Sequence, residues 1–203
     1  MNRKMGFTLI ELVVTLVVAA ILVGWALPSF RNLIVSNRLV SQTNELIGAL
    51  SLARSEAIKR GSTVSVCKSK NGTQCNSSSV CTGGASGSVG WSDGWIVFLN
   101  NATGSGTDAR CVDANEQIIR THGAFPDQFT LNSNSSFSDL ISYRSNGVSN
   151  NTGIFVVCYS NRLDSSRTVV INQSGRVRAG MDSNNNGIPE KEDGTEITSC
   201  TSP

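Results

Sequence analysis

Histidine is almost absent from this chain: His122 stands alone among 203 residues. A histidine pair on a metal is therefore excluded, and neither a nucleophile elbow nor a Gly-Lys phosphate loop occurs, so no catalytic constellation emerges and no enzymatic activity is expected. His122, followed by Gly123 at a strand end, reads as structural. Aromatic residues are scarce at 6% and charged residues at 16%, which argues against a charge-rich helical protein. An excess of one charge sign is also lacking. Of 17 Lys and Arg, two (Arg3 and Lys4) lie in the opening segment, and the remaining 15 match the 15 Asp and Glu. A globally basic nucleic-acid footprint is thus absent, and any anion binding must come from a local patch. What abounds is Gly, Ser, Asn and Thr, the composition of a loop-rich, polar, extracellular β domain with an appendage.

The six cysteines, Cys67, Cys75, Cys81, Cys111, Cys158 and Cys200, all follow the first 60 residues. None has the C-x₂-C or Cys-His spacing of a zinc site, so disulfides in an oxidising compartment are expected. Three bridges would allow 15 pairings; a local Cys75–Cys81 loop and a Cys158–Cys200 staple for the tail are preferred.

The opening MNRKMG is short and basic. Phe7 to Leu27 then runs 21 residues dominated by Leu, Ile, Val and Ala, about the ~20 that a helix needs to cross a bilayer. Arg3 and Lys4 would hold the start on the cytoplasmic side. A cleaved secretory signal would require a small-residue site after the apolar run, whereas the sequence past Ala26-Leu27-Pro28 continues as a helix. Glu11 stands inside the apolar stretch, where a charge costs roughly 2.5–3.5 kcal/mol and is usually paired or functional.

Gly6-Phe7-Thr8-Leu9-Ile10-Glu11-Leu12 resembles the class III signal of type IV prepilins and type II secretion pseudopilins. The resemblance implies cleavage between Gly6 and Phe7 by a prepilin peptidase, N-methylation of Phe7, and single-pass insertion in the inner membrane with the N-terminus cytoplasmic. The filament would then carry the subunit into the periplasm or to the cell surface. In that family the carboxylate at the position of Glu11 pairs with an N-terminal amine during assembly with other major and minor pilins, and a proline at the position of Pro28 kinks or melts the helix. The physics agrees, since a buried charge is tolerable against an ammonium and then specifies register.

From Ser29 to Gly61 the pattern is helical. Leu39, Thr43, Leu46, Leu50, Ala53 and Ala57 form one stripe, with Arg38, Gln42, Glu45, Arg54 and Lys59 opposite and Arg60-Gly61 as the stop. Beyond it, short β-type runs alternate with Gly/Asn/Ser clusters. Strands are expected at Thr63–Cys67, Trp95–Leu99, Gln117–Thr121, Phe129–Leu131, Ile141–Tyr143, Gly153–Cys158, Thr168–Asn172 and Arg176–Val177. Lys68–Val89 reads as a long disulfide-tethered loop.

Trp91-Ser92-Asp93-Gly94-Trp95-Ile96-Val97-Phe98 resembles the W-x-x-G-W-x-V-F signature of the GspH/FimT/FimU domain, as do Gly153–Cys158 and Arg167–Arg178. The implied fold is α+β and pilin-like, a long N-terminal helix packed on an antiparallel β domain. The expected organisation is a leader over 1–6, an apolar assembly helix over 7–28, an amphipathic helix over 29–61, a β domain over 62–180 and a polar tail over 181–203. Trp91 and Trp95 are read as core and strand-edge anchors.

Two segments carry candidate binding chemistry. In Gly175-Arg176-Val177-Arg178, strand periodicity puts Arg176 and Arg178 on one face, where two guanidiniums can bridge phosphates. The four residues match the GRxR motif that FimT-type minor pilins use to bind DNA in natural transformation. Arg162 and Arg167 are candidates to extend the patch, giving salt-sensitive binding of double-stranded DNA with little sequence preference. The same arginines would also discourage edge-to-edge pairing. In the tail, Asp182, Asn184, Asn186, Gly187, the Ile188 carbonyl, Glu190 and Asp193 occupy positions 1, 3, 5, 6, 7, 9 and 12 of a calcium loop, with Asp in place of the usual last Glu. Three functions stay open: a structural minor pilin, a DNA-binding one, and a pseudopilin of type II secretion.

Overall fold

The structure is a computed structural model, and it describes residues 8–75, 89–101, 112, 116–191 and 193–203, with the side chains of 25–29 not described. Cys81, Cys111, the leader and Phe7 lie outside these residues.

An unbroken helix, α1, runs Leu9–Arg60 and continues through Pro28. Thr8 starts it, its Oγ1 accepting the Glu11 N–H at 3.3 Å, the reach of an N-cap hydroxyl to an otherwise orphaned donor. Gly61 ends it at φ 64°, and the Ser62 N–H closes back on the Ala57 carbonyl at 3.3 Å. That is the left-handed helix stop which glycine adopts without a Cβ penalty. The chain divides into two compact units, Met1–Arg38 and Leu39–Pro203. In the first, every large apolar side chain from Leu9 to Val23 is 44–83% exposed. Consecutive residues such as Leu12-Val13-Val14 point in different directions round the axis, so the apolar surface is all-round rather than a stripe. Among the described residues no helix is long and apolar enough to cross a membrane; the expected run, Phe7–Leu27, includes residues outside them.

In the second unit the stripe predicted from the sequence is the buried one: Leu39, Thr43, Leu46, Leu50, Ala53 and Ala57 are all at most 4% exposed. Among the described residues eight strands follow: β1 (Thr63–Lys68), β2 (Trp95–Asn100), β3 (Ile118–His122), β4 (Phe129–Ser133), β5 (Leu140–Tyr143), β6 (Gly153–Tyr159), β7 (Arg162–Ile171) and β8 (Val177–Ala179). They form two antiparallel sheets, ordered β3-β2-β1-β5 and β4-β6-β7-β8. β7 is longer than expected, because the β6–β7 hairpin closes at Ser160 (φ 49°) and Asn161 (φ 57°), and Arg162, Ser166 and Arg167 still pair with β6 across a register shift. Two positive-φ residues in a two-residue loop match the twist of an antiparallel pair.

Trp91 and Trp95 are core residues, 2% and 1% exposed. The Trp91 indole donates to the Phe137 carbonyl at 2.9 Å and sits edge-on to Phe155, while Trp95 stacks on His122. His122 in turn meets the Glu45 carboxylate of α1, which ties the edge of the first sheet to the helix. Two disulfides are described, Cys67–Cys75 and Cys158–Cys200. The second is the expected staple. The first replaces the expected Cys75–Cys81 loop: Cys67 and Cys75 lie buried in one apolar cluster with Ile96 and Phe98.

The tail is not a free appendage. Ile197 and Cys200 are 2% and 3% exposed and pack with Ile154, Val156, Cys158 and Val170.

Candidate nucleic-acid interface

In the Gly175-Arg176-Val177-Arg178 segment, Gly175 and Arg176 lie in the turn between β7 and β8, and Val177 and Arg178 belong to β8. Asn172 shapes it, accepting the Gly175 N–H on its carbonyl at 2.9 Å and the Arg176 N–H on Oδ1 at 3.0 Å. Gly175 is buried at φ 76°, and a Cβ there would stand 2.1 Å from the Gly147 carbonyl oxygen. Its close backbone approach is therefore to the β5–β6 turn, not to an outside ligand. Arg54 of α1 fastens both turns, donating from Nε to the Gly147 carbonyl at 3.0 Å and from Nη2 to the Ser174 carbonyl at 3.1 Å.

Strand β8 begins at Val177, so Arg176 precedes it rather than starting it. Its carbonyl nevertheless accepts the Asn172 N–H at 3.2 Å, and Gly180 N–H donates to Thr168 at 2.8 Å. Even-numbered residues thus carry the ladder, and the backbone groups of Val177 and Ala179 turn to the open edge. Arg176 and Arg178 are exposed while Val177 between them is half-buried, the alternation expected for two side chains on one face. Neither guanidinium has a carboxylate within ion-pair reach among the described residues.

The other two arginines do not join them. Arg178 sits opposite Val170, which is opposite Ile154, so all three share the face covered by the tail. Arg167 sits opposite Val157, on the other face of the sheet. Arg162 is engaged by Asp164, with Nε–Oδ1 3.0 Å and Nη2–Oδ2 2.5 Å, and these hydrogen bonds hold the Asp164 carboxyl below its ordinary range.

The residues of the expected calcium set take up hydrogen bonds within the tail. Asp182 accepts the N–H groups of Asn186 and Gly187, Asn184 accepts from Asn186, and Asn186 accepts from Ile188. Glu190 turns inward, both oxygens on the Ser183 N–H at 2.9 Å. Asp193 turns to Thr195, whose hydroxyl and N–H pull its carboxyl below the usual range. The loop closes on its own donors, and among the described residues no three His, Cys, Asp or Glu side chains could hold a metal.

Sequence reasoning missed Arg54 and Lys191. Arg54 was visible only as a cation flanking the buried stripe. Lys191 comes beside Arg178 through the fold of the tail, for which the sequence carries no periodic signal.

The family model described as type II transport protein GspH matches residues 42–175, and that of the prokaryotic N-terminal methylation motif matches residues 1–27. The chain is 34% identical over 110 residues to fimbrial protein Q of Moraxella bovis, covering 53% of this chain and 68% of that protein. The crystal structure of the type IV minor pilin FimU of Pseudomonas aeruginosa superposes with a TM-score of 0.52 at 22% identity, over 81% of this chain and 96% of that one. A second crystal form of FimU gives 0.51 at 21% identity, over 80% and 99%. At such identity the likeness establishes the fold, a long helix on antiparallel sheets. Gly175 closes the GspH match; Arg176 and Arg178 lie just beyond it.

Proposed function

The chain belongs to the GspH family of type IV minor pilins and pseudopilins, and on that premise we propose that it is a minor subunit of a type IV pilus that helps assembly and binds extracellular double-stranded DNA along the β7–β8 rim. Pilin-family proteins assemble with other pilins, and the methylation motif marks this one for pilin processing. In our reading, prepilin peptidase cuts between Gly6 and Phe7, Phe7 is methylated, and the apolar first helix waits in the inner membrane before entering the filament. Glu11 then meets an N-terminal ammonium. Support comes from the all-round exposure of Leu9–Val23, since an apolar surface of that extent requires lipid or neighbouring helices to cover it.

The observation that carries the DNA reading is the pair Arg176 and Arg178, exposed on one face at an open sheet edge with no carboxylate in ion-pair reach among the described residues. Two such guanidiniums contact phosphates and leave base edges unread, so binding follows salt rather than sequence. The test is a mobility shift of a mixed-sequence duplex on the detergent-solubilised mature chain, wild type against Arg176→Gln/Arg178→Gln. Binding at low salt that the double variant loses supports the reading; equal binding by both removes the motif from it, and no binding by wild type removes DNA.

The matched family description favours a second reading, a type II secretion pseudopilin with a structural role. A deletion strain separates them: loss of transformation or piliation supports the pilus, and loss of exoprotein secretion alone supports the secretion filament.

A further inference from the structure

Beside Arg178 lies a cleft of about 170 Å³, lined by Val170 and Arg178 from the sheet and by Gly180, Met181, Glu190 and Lys191 from the segment that follows it. We propose that the C-terminal hairpin is the second wall of a phosphodiester-binding cleft, in which Lys191 acts with Arg178 on a DNA backbone phosphate. This rests on the DNA reading above and extends it from a bare strand edge to a two-walled site.

The tail is built to hold that wall. Gly180 lets the chain turn back tightly against the sheet, since a Cβ there would meet Thr168 Oγ1 at 1.7 Å. The Glu190 N–H then bonds the Met181 carbonyl at 2.8 Å, and the Lys191 N–H bonds the Thr195 carbonyl at 2.7 Å, making a hairpin. Ile197 and the Cys158–Cys200 bridge pin the hairpin to the sheet face that carries Val170 and Arg178.

The charges point the same way. Glu190, the one carboxylate among the described lining residues, is 8% exposed and spent on the Ser183 N–H. Lys191 has no ion pair among the described residues; its charge helps to lower the Asp193 carboxyl, behind the Thr195 hydrogen bonds. The cations in the cleft's lining are Arg178 and Lys191, with the open-edge backbone groups of Val177 and Ala179 on the strand that carries Arg178. Arg167 and Arg162, respectively on the opposite face and paired with Asp164, take no part.

The test is fluorescence anisotropy of a mixed-sequence duplex on the full mature chain in detergent, read as the slope of log affinity against log salt. Lys191→Gln should weaken binding several-fold at moderate salt and lower the slope by about 0.9, one phosphate contact. Arg178→Gln should do the same, while Arg167→Gln should leave both unchanged. In a Cys158→Ser/Cys200→Ser background that remains folded, Lys191→Gln should add nothing further. An unchanged slope for Lys191→Gln alongside a loss for Arg178→Gln overturns the second wall and leaves the rim reading standing. Absence of binding by wild type at low salt overturns both.

Discussion

Gly175 and Gly147 touch backbone to backbone, so closely that a Cβ on Gly175 would stand 2.1 Å from the Gly147 carbonyl oxygen. The arginine rim is therefore held by a contact inside the domain. Gly175→Ala adds a left-handed penalty and a clash with backbone, and should cost about 2–4 kcal/mol. Urea denaturation should show that loss, whereas Arg176→Gln/Arg178→Gln should leave the midpoint within experimental error. A stable Gly175→Ala would show that the two turns separate easily.

Arg54 spans the same two turns with hydrogen bonds to carbonyls of Gly147 and Ser174. Arg54→Met keeps the packing of the stem, leaves the buried Gly147 carbonyl without its donor and returns the exposed Ser174 carbonyl to water, so a loss of about 1–2 kcal/mol is expected. Hydrogen exchange should accelerate first in residues 172–178. Uniform acceleration across the domain would contradict the local role.

Much of this architecture could be read from residues and their spacing. The buried helical stripe was legible because a period near 3.6 reports one face, and the strands were legible because Val, Ile and Phe runs are punctuated by Gly and Asn. The division into two sheets was not, since which strands pair depends on contacts far apart in sequence. The first half of β7 escaped because Arg162–Arg167 is polar, and Cys67–Cys75 escaped because proximity along the chain suggested Cys81. At the candidate site, the alternation of Arg176 and Arg178 was visible. The opposed face of Arg167 and the arrival of Lys191 were not, because both follow from register and from the stapled tail.

Tyr143 is fully buried, and its hydroxyl has no hydrogen-bond partner among the described residues. Burial raises its pKa above the ordinary value, against a smaller opposing pull from Arg54. A raised folded pKa contributes stability that is complete below the unfolded value near 10 and is lost as pH rises above it. Wild type should therefore lose stability above about pH 10, at up to about 1.4 kcal/mol per pH unit from this group. Tyr143→Phe should flatten that limb and gain about 1 kcal/mol at neutral pH by removing an unpaired buried group. Chemical denaturation at pH 7 and 11 checks both; equal alkaline slopes would contradict the assignment.

The two described disulfides close loops of very different length, with sequence separations of 42 and 8. Loop-closure entropy predicts that Cys158→Ser/Cys200→Ser costs about 4 kcal/mol and Cys67→Ser/Cys75→Ser about 2.5 kcal/mol. Urea unfolding without reductant should reproduce that order. The reverse order would mean that the tail contributes little to the fold.

The most direct measurement of the central claim is mass spectrometry of the chain recovered from sheared pili. A filament subunit should be found there with an N-terminal peptide beginning at methylated Phe7, and Glu11→Ala should reduce its recovery by more than tenfold, because an uncompensated ammonium in the filament core costs several kcal/mol. A chain absent from the pili, or one whose mature end lies after Leu27 with the apolar helix removed, would contradict it.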